Sequence, residues 1–222
     1  MTTGAPWSTL NGERTLTGSL YIPRVGVWVA DVALALSTVL APPVVLTVGS
    51  LTLQGTIYRQ GAYGGSRGYR IVGGTNGWGK ALAARSYVAA GGVSSALVLG
   101  DLATEAGERV AVATPSFLGT SFVRLAGPAS RTLTSIEPNW WVDATGTTQV
   151  GLPRDTSPIT SDFTATHRFG AHGIVEIATE NEADWMPGRV FSSAIVTTPQ
   201  TIQASRFTWD RGGRARVEVV CQ

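Results

Sequence analysis

Gly74-Thr75-Asn76-Gly77-Trp78-Gly79-Lys80-Ala81 is the segment whose spacing comes nearest to chemistry. It follows the phosphate-binding pattern G-x-x-x-x-G-K up to the last position, where Ala81 replaces the Ser or Thr that would hold magnesium. That chemistry also needs a helix starting at Lys80, whose first amides cradle phosphate oxygens, and a parallel sheet after it. An alternating β pattern precedes the segment instead. A Gly-rich connector leaving a β domain, anchored by Trp78, is the plainer expectation.

The other candidates each lack a partner. His167 and His172 stand five apart across a Gly-containing turn, but a zinc site needs two more ligands and Cys221 is the sole thiol. They read as solvent-facing hairpin histidines. Glu176, Glu180, Glu182 and Asp184 form an acidic cluster, yet nothing places two of them on facing strands as glycoside hydrolysis requires. Turn and rim charges account for them, as partners for Arg on a neighbouring subunit. Serine hydrolysis is not expected, because no serine is placed at a strand-to-helix elbow. Arg206, Arg211, Arg214 and Arg216 cluster near the C-terminus, offset in part by Asp210 and Glu218, which favours a solvated hairpin or a subunit contact over nucleic acid. No catalytic residue, metal or cofactor is expected.

The elements that would carry these residues belong to a chain of 222 residues, 43% hydrophobic but only 14% charged. An ordinary soluble domain carries roughly 25% charge, so either many Ser, Thr and Gly lie on the outside or part of the surface is covered by partner subunits. Sixteen of the 17 basic residues are Arg, and net charge is +2, without the excess that marks a nucleic-acid binder. One cysteine excludes an internal disulfide. No signal-peptide pattern is visible, and the apolar stretch from Val25 to Val48 contains Asp31 and Pro42-Pro43, so membrane insertion is not expected.

Along the chain, residues 1–13 read as a polar N-terminal arm. Leu16, Leu20 and Ile22 then share a face, as do Trp28, Ala30, Val32, Leu34 and Leu36, and later Leu51, Leu53, Gly55 and Ile57. Five or six short strands with Gly/Pro turns predict a small barrel over 14–80. Leu99, Leu102, Ala103 and Ala106 follow helical spacing, with Ser94 or Ser95 to cap and Gly107 to stop. A second helix fits Pro128 to Glu137, and a hairpin fits Trp140–Val142 with Thr147–Val150. This α/β middle segment spans 81–155, its end merging with a linker over Gly151–Ser161. From 156 to 222 the β pattern returns, with strands predicted over Ile174–Ala178, Val190–Val196, Ile202–Trp209 and Arg214–Val220, the last two joined at Asp210–Gly213. The fold class is therefore mainly β, two small barrels flanking a mixed segment.

The two β regions look alike. Gly49, Leu51, Gly55 and Ile57 match Gly188, Val190, Ala194 and Val196 in spacing, and Gly64-Gly65 and Gly212-Gly213 each precede an Arg-rich strand. Seven tryptophans are spread over all regions; Trp28 and Trp209 suit barrel cores. Trp78 and Trp185, in turns, are the candidate subunit-interface anchors, with Arg211 and Arg214 beside them.

Leu16–Leu20 running into Pro23-Arg24-Val25-Gly26-Val27-Trp28 resembles the opening of phage tail hub proteins, also called baseplate hubs. Leu51–Ile57 followed by Arg70-Ile71-Val72-Gly73-Gly74 is similar too, as are Arg124–Arg131 with Leu133, Trp141-Val142-Asp143, Thr147–Gly151 and Pro187-Gly188. The resemblance implies two barrels joined by α/β material, and three copies whose six barrels form a ring. Such a ring adapts a six-fold tail tube to a three-fold spike. It implies as partners further copies of the chain in a trimer, a tail tube or distal tail protein, a central spike or tip protein, and the tape measure protein. It places the chain in the virion tail, assembled in the host cytoplasm, as a minimal hub without an added enzymatic domain. Two other functions stay open: a carbohydrate- or receptor-binding β module on a virion, and a nucleotide- or glycan-hydrolysing enzyme.

Overall fold

The computed structural model describes residues 7–35, 39–170, 173–211 and 214–222. Leu36, His172 and Gly212-Gly213, named above, lie outside them, as do residues 1–6 of the expected arm.

Alternating burial in the first third makes seven strands: β1 (Ser8–Leu10), β2 (Glu13–Arg14), β3 (Thr17–Pro23), β4 (Val29–Ala35), β5 (Val44–Val48), β6 (Leu51–Tyr63) and β7 (Ser66–Gly73). They pair antiparallel in the order β3-β4-β7-β6-β5-β1-β2. Only Thr15 and Leu16 separate β2 from β3. Their amides bond to Ser8 and Ala33, so 13–23 runs on as one extended strand. One end of it pairs with β1 and the other with β4, which closes a six-stranded barrel. The expected arm is thus barrel wall from Ser8 onward. Inside, Leu20, Ile22, Trp28, Ala30, Val32, Leu34, Leu51 and Leu53 are buried as their alternation predicts. A Cβ on Gly55 or Gly73 would stand 2.7 and 2.6 Å from the Trp28 ring, so two glycines leave room for one indole.

The middle segment starts with a single 3-10 turn at Gly77–Gly79, followed by β8 (Ala81–Leu82), β9 (Arg85–Val88) and helix α1 (Ser95–Ala106). Strands β10 (Val110–Val112), β11 (Ser121–Arg124) and β12 (Gly127–Pro128) lead to helix α2 (Ala129–Ile136) and the hairpin β13 (Trp140–Val142) and β14 (Thr148–Val150). Capping is as the residue types predict: the Ser94 side chain accepts from Ala96 N, and Gly107 ends α1 at φ 84°. The helices pack Leu99, Leu102, Ala103 and Leu133 against Trp78 and Trp140 in a second core. Sequence periodicity missed the parallel pairing of β10 with β14, which comes from segments some forty residues apart.

Among the described residues, five strands form the last third: β15 (Phe163–Phe169), β16 (Ile174–Thr179), β17 (Val190–Ser193), β18 (Val196–Trp209) and β19 (Ala215–Cys221). Val190–Val196 is therefore not one strand, since Ala194 and Ile195 make the turn between β17 and β18. The order β15-β16-β19-β18-β17 also closes, but through a parallel bridge of Pro158 with Val190 where the first barrel closes through antiparallel β1. Ile159 N bonds to Val190 O and Val190 N to Ser157 O, so the extended run from 157 into β15 pairs with β17 at its start and β16 at its end. Part of the expected linker is thus barrel wall.

Reading β3-β4-β7-β6-β5 beside β15-β16-β19-β18-β17 shows one topology used twice. Both long strands carry a bulge seven residues along, between Ile57 and Arg59 in β6 and between Ile202 and Ala204 in β18. The repeat is real, but Leu51 corresponds to Val196 and not to Val190. The match in spacing to Gly188–Val196 is therefore six residues out of register. The β6–β7 turn at Gly64-Gly65 does correspond to the β18–β19 connection. The two barrels join where β18 pairs antiparallel with β3, from Ala204 opposite Pro23 to Trp209 opposite Gly18. That seam joins the strands into one 12-stranded sheet, with β17 branching from β18, and one shared core.

Candidate functional site

The phosphate-loop look-alike is filled by the chain itself. Gly74 and Asn76 have positive φ, which turns the Thr75 and Gly77 amides to one side. Both donate to the carboxylate of Glu108, Thr75 N at 3.1 and 3.2 Å and Gly77 N at 2.6 Å. Glu108 is buried, so a protein carboxylate holds the place an anion would take. Lys80 is extended (φ −67°, ψ 130°), Ala81 opens a strand, and Lys80 Nζ donates to Glu105 O at 2.7 Å. No helix follows Lys80 to cradle phosphates. The segment is the connector between the first barrel and the middle segment, and Trp78 does anchor it, donating through Nε1 to Thr148 Oγ1 at 2.8 Å.

A second carboxylate holds the barrels together. Glu182 is buried in a 3-10 turn, Glu182–Asp184. It accepts from Trp7 Nε1 at 3.1 Å and from Ser50 N and Oγ at 3.0 and 3.3 Å. One side chain of the second barrel thereby pins the start of the first and its β5–β6 turn. Of the acidic cluster, Glu182 is therefore interior rather than rim. Glu176 and Asp184 pair within this chain, with Arg216 at 2.9 Å and Arg189 at 3.8 Å, while Glu180 is exposed.

Arginines complete the frame. Arg154 lies over the Trp141 ring at 4.4 Å and donates to Arg24 O and Pro23 O at 2.9 and 2.7 Å, where the chain leaves β3. Burial, with the Arg24 charge nearby, brings its guanidinium down to about 10. Arg124, also buried, donates to Ala83 O and to Glu105 at 2.6 Å, and Arg85 takes the other Glu105 oxygen at 2.9 Å. These hydrogen bonds from Arg124 and Arg85 hold the Glu105 carboxyl below the ordinary glutamate range. Nothing in the sequence signalled Glu108, Arg124 or Arg154, because each is defined by a partner dozens of residues away.

Of the four interface candidates, Trp78 and Trp185 are core residues, 3% and 0% exposed, so neither offers its ring to a neighbour. Trp185 packs edge-on against Phe163 and Phe191 at 4.9 and 5.3 Å. A turn residue next to a Gly reads as exposed in sequence; here the turn folds back over the barrel and carries the indole inward. Arg211 and Arg214 are exposed at the β18–β19 connection. His167 is exposed on β15 with its ring stacked on Phe169 at 5.9 Å. Among the described residues no group of three His, Cys, Asp or Glu could hold a metal ion. Burial raises the Cys221 thiol to about 11, which keeps it protonated and unreactive.

What the surface does present is strand edge and exposed apolar side chains. In β6, residues 51–55 pair with β5, and among the described residues nothing pairs with that edge from Thr56 to Tyr63. The edge of β15 facing away from β16 is likewise unpaired among the described residues. Tyr63 is 89% exposed, Phe169 46% and Tyr58 57%.

The fold recurs in solved structures. The chain has the fold of phage tail proteins. It superposes on the tail protein from Neisseria meningitidis MC58 with a TM-score of 0.67 at 12% identity, over 96% of this chain and 95% of that one. The c3393 protein of E. coli gives 0.66 at 11% identity, over 96% of this chain and 74% of that one. That protein is a component of the type VI secretion system with structural similarity to the T4 tail proteins gp27 and gp5. The 43 kDa tail protein of prophage MuSo2 from Shewanella oneidensis gives 0.56 at 8% identity, over 96% of each chain. No protein-family model matches the sequence, and no curated protein matches it. No helix among the described residues is long and apolar enough to cross a membrane.

Proposed function

We propose that this chain is a structural hub of a bacteriophage tail or a related injection particle. The observation that carries the reading is the tail-protein fold, shared over 96% of this chain and 95% of the Neisseria tail protein. The internal repeat supports the ring form of the hub. Two barrels of one topology per chain, three chains to a ring, present six similar units on a three-fold frame. One face of such a ring meets a tail tube or distal tail protein and the other a central spike or tip, with the tape measure protein passing nearby. The chain works through shape and edges and catalyses no reaction. The polar groups its motifs gather are used internally, as Glu108 and Glu182 are. It belongs to the virion, in the tail baseplate, and is assembled in the host cytoplasm.

A mass measurement of the purified chain tests this. The expected result is a trimer whose proportion changes little across a hundredfold dilution; a monomer at the highest concentration overturns the ring. Labelled antibody on particles, imaged by electron microscopy, should decorate the tail tip, and label elsewhere on the particle overturns the location.

A further inference from the structure

Two arginines among the described residues are buried, Arg124 at 2% and Arg154 at 9% exposure, and they are not equally provided for. Each spends Nε and Nη2 on backbone carbonyl oxygens. Arg124 also meets the Glu105 carboxylate at 2.6 Å. Arg154 forms no ion pair among the described residues, and neither does Arg24 beside it. An unpaired buried charge is costly, and burial, followed by the Arg24 charge, accordingly lowers the Arg154 pKa to about 10.

Arg154 lines a cavity of about 310 Å³ where the chain leaving β3, the start of β13 and residues 151–156 meet. Its position there is fixed. The guanidinium lies over the Trp141 ring at 4.4 Å, and Gly188, at φ 102°, lets residue 154 come close, since a Cβ there would stand 2.7 Å from Arg154 Cβ. A guanidinium has five N–H groups. With Nε and one N–H of Nη2 spent, the Nη1–Nη2 edge is left over. Nη1 donates to no protein group among the described residues and is not enclosed. Arg24, an exposed residue on the same cavity, gives Nη1 to Gln203 Oε1 at 3.3 Å. Val25 and Leu152, each 43% exposed, add apolar surface to the cavity wall. Glu137 lines it too, its Oε1 accepting from Asn139 N at 3.0 Å.

We propose that this cavity binds a carboxylate carried on a short apolar stem, held by the Nη1–Nη2 edge of Arg154 with Arg24 as second cation. A planar carboxylate matches a guanidinium edge with two parallel hydrogen bonds. Its stem suits Val25 and Leu152. A phosphate dianion would meet the Glu137 charge twice over, so the wall favours the monoanion. Such a group has two sources: the Asp or Glu side chain of another protein chain, or a free short-chain acid. The site needs no second chain to be complete, so it stands apart from the ring assembly.

Butyrate is the probe, read at the Trp141 indole NMR resonance, which Trp141→Phe assigns. At constant ionic strength butyrate should shift that resonance saturably, and butyramide, its neutral isostere, should not. Arg154→Gln should abolish the response. Should that variant misfold, Arg24→Gln, at an exposed residue, should weaken binding about threefold with an unchanged circular dichroism spectrum. Glu137→Gln, which removes a like charge, should strengthen it about twofold. Oligomer mass separates the sources. A carboxylate from a neighbouring chain makes Arg24→Gln weaken association and makes butyrate compete with it, whereas a free acid leaves the mass unchanged. An equal response to butyramide overturns the site. So does the absence of a saturable butyrate response in a chain whose association Arg24→Gln leaves unaltered. A monomeric chain overturns the ring and leaves this test in force.

Discussion

The two barrels share strand order and a bulge in the same place, yet their long strands end differently. Beyond the bulge, β18 places Ala204, Phe207 and Trp209 in the core, because β3 lies alongside and Leu20 and Ile22 pack with them. Beyond its bulge, β6 has Arg59, Gln60, Gly61, Ala62 and Tyr63, and all five are exposed. One half-strand is thus written for a permanent partner in the same chain, and the other for water or for a partner that arrives later. The difference shows that topology creates an edge, while side chains decide whether its occupation is part of folding or part of assembly.

The largest test breaks the permanent seam. Phe207→Ala should destabilise the chain by ~3–5 kcal/mol in urea unfolding, whereas Ala62→Ser at the equivalent place in β6 should stay within ~0.5 kcal/mol. Next comes the clasp across the barrels. Glu182→Ala leaves Trp7 Nε1 and the Ser50 amide without their acceptor and should cost ~2–4 kcal/mol, while Glu180→Ala, at an exposed residue of the same acidic cluster, should leave the midpoint unchanged. A smaller effect is expected from close packing in the seam. A Cβ at Gly18 would enter the Trp209 ring, so Gly18→Ala should lose ~1–3 kcal/mol. Gly61, in the exposed half of β6, has nothing within 4 Å, so Gly61→Ala should be near neutral by the same measurement.

The smallest effect lies outside both barrels and separates the middle segment from them. Hydrogen bonds from Arg124 and Arg85 lower the Glu105 pKa, so the folded form holds its charge to lower pH than the unfolded form. The stability this confers is present above the ordinary glutamate value and is lost as pH falls through the folded value. Glu105→Gln should therefore flatten the acid limb of a stability profile below about pH 4.5. An unchanged limb would assign the acid response to the barrels.

Much of the architecture was legible because it is local. Alternation of Trp28, Ala30, Val32 and Leu34 marks a strand with one buried face, and Ser94 with Gly107 brackets a helix, since each signal depends on neighbours a few residues away. The repeat was legible in outline through its Gly-Gly turns, but its alignment was not. Burial of Val190 and Val196 alternates alike whether one strand or a hairpin joins them, and only the pairing of β17 with β18 distinguishes the two. The tryptophans misled for a related reason. A Trp beside a turn is buried or exposed according to what the turn folds against, and Trp185 meets Phe163 and Phe191.

By itself, the sequence determined that the chain is mainly β with a short helical insert, and that its nearest approach to a nucleotide loop is incomplete at Ala81. Both follow from residue types and short spacings. Tertiary structure alone decided that Glu108 fills that loop, that Glu182 clasps two barrels, and that β3 and β18 are sealed while β15 and β6 keep edges unpaired among the described residues. Those facts depend on contacts between residues far apart in sequence, such as Gly18 with Trp209, 191 positions away, which the folded path brings together.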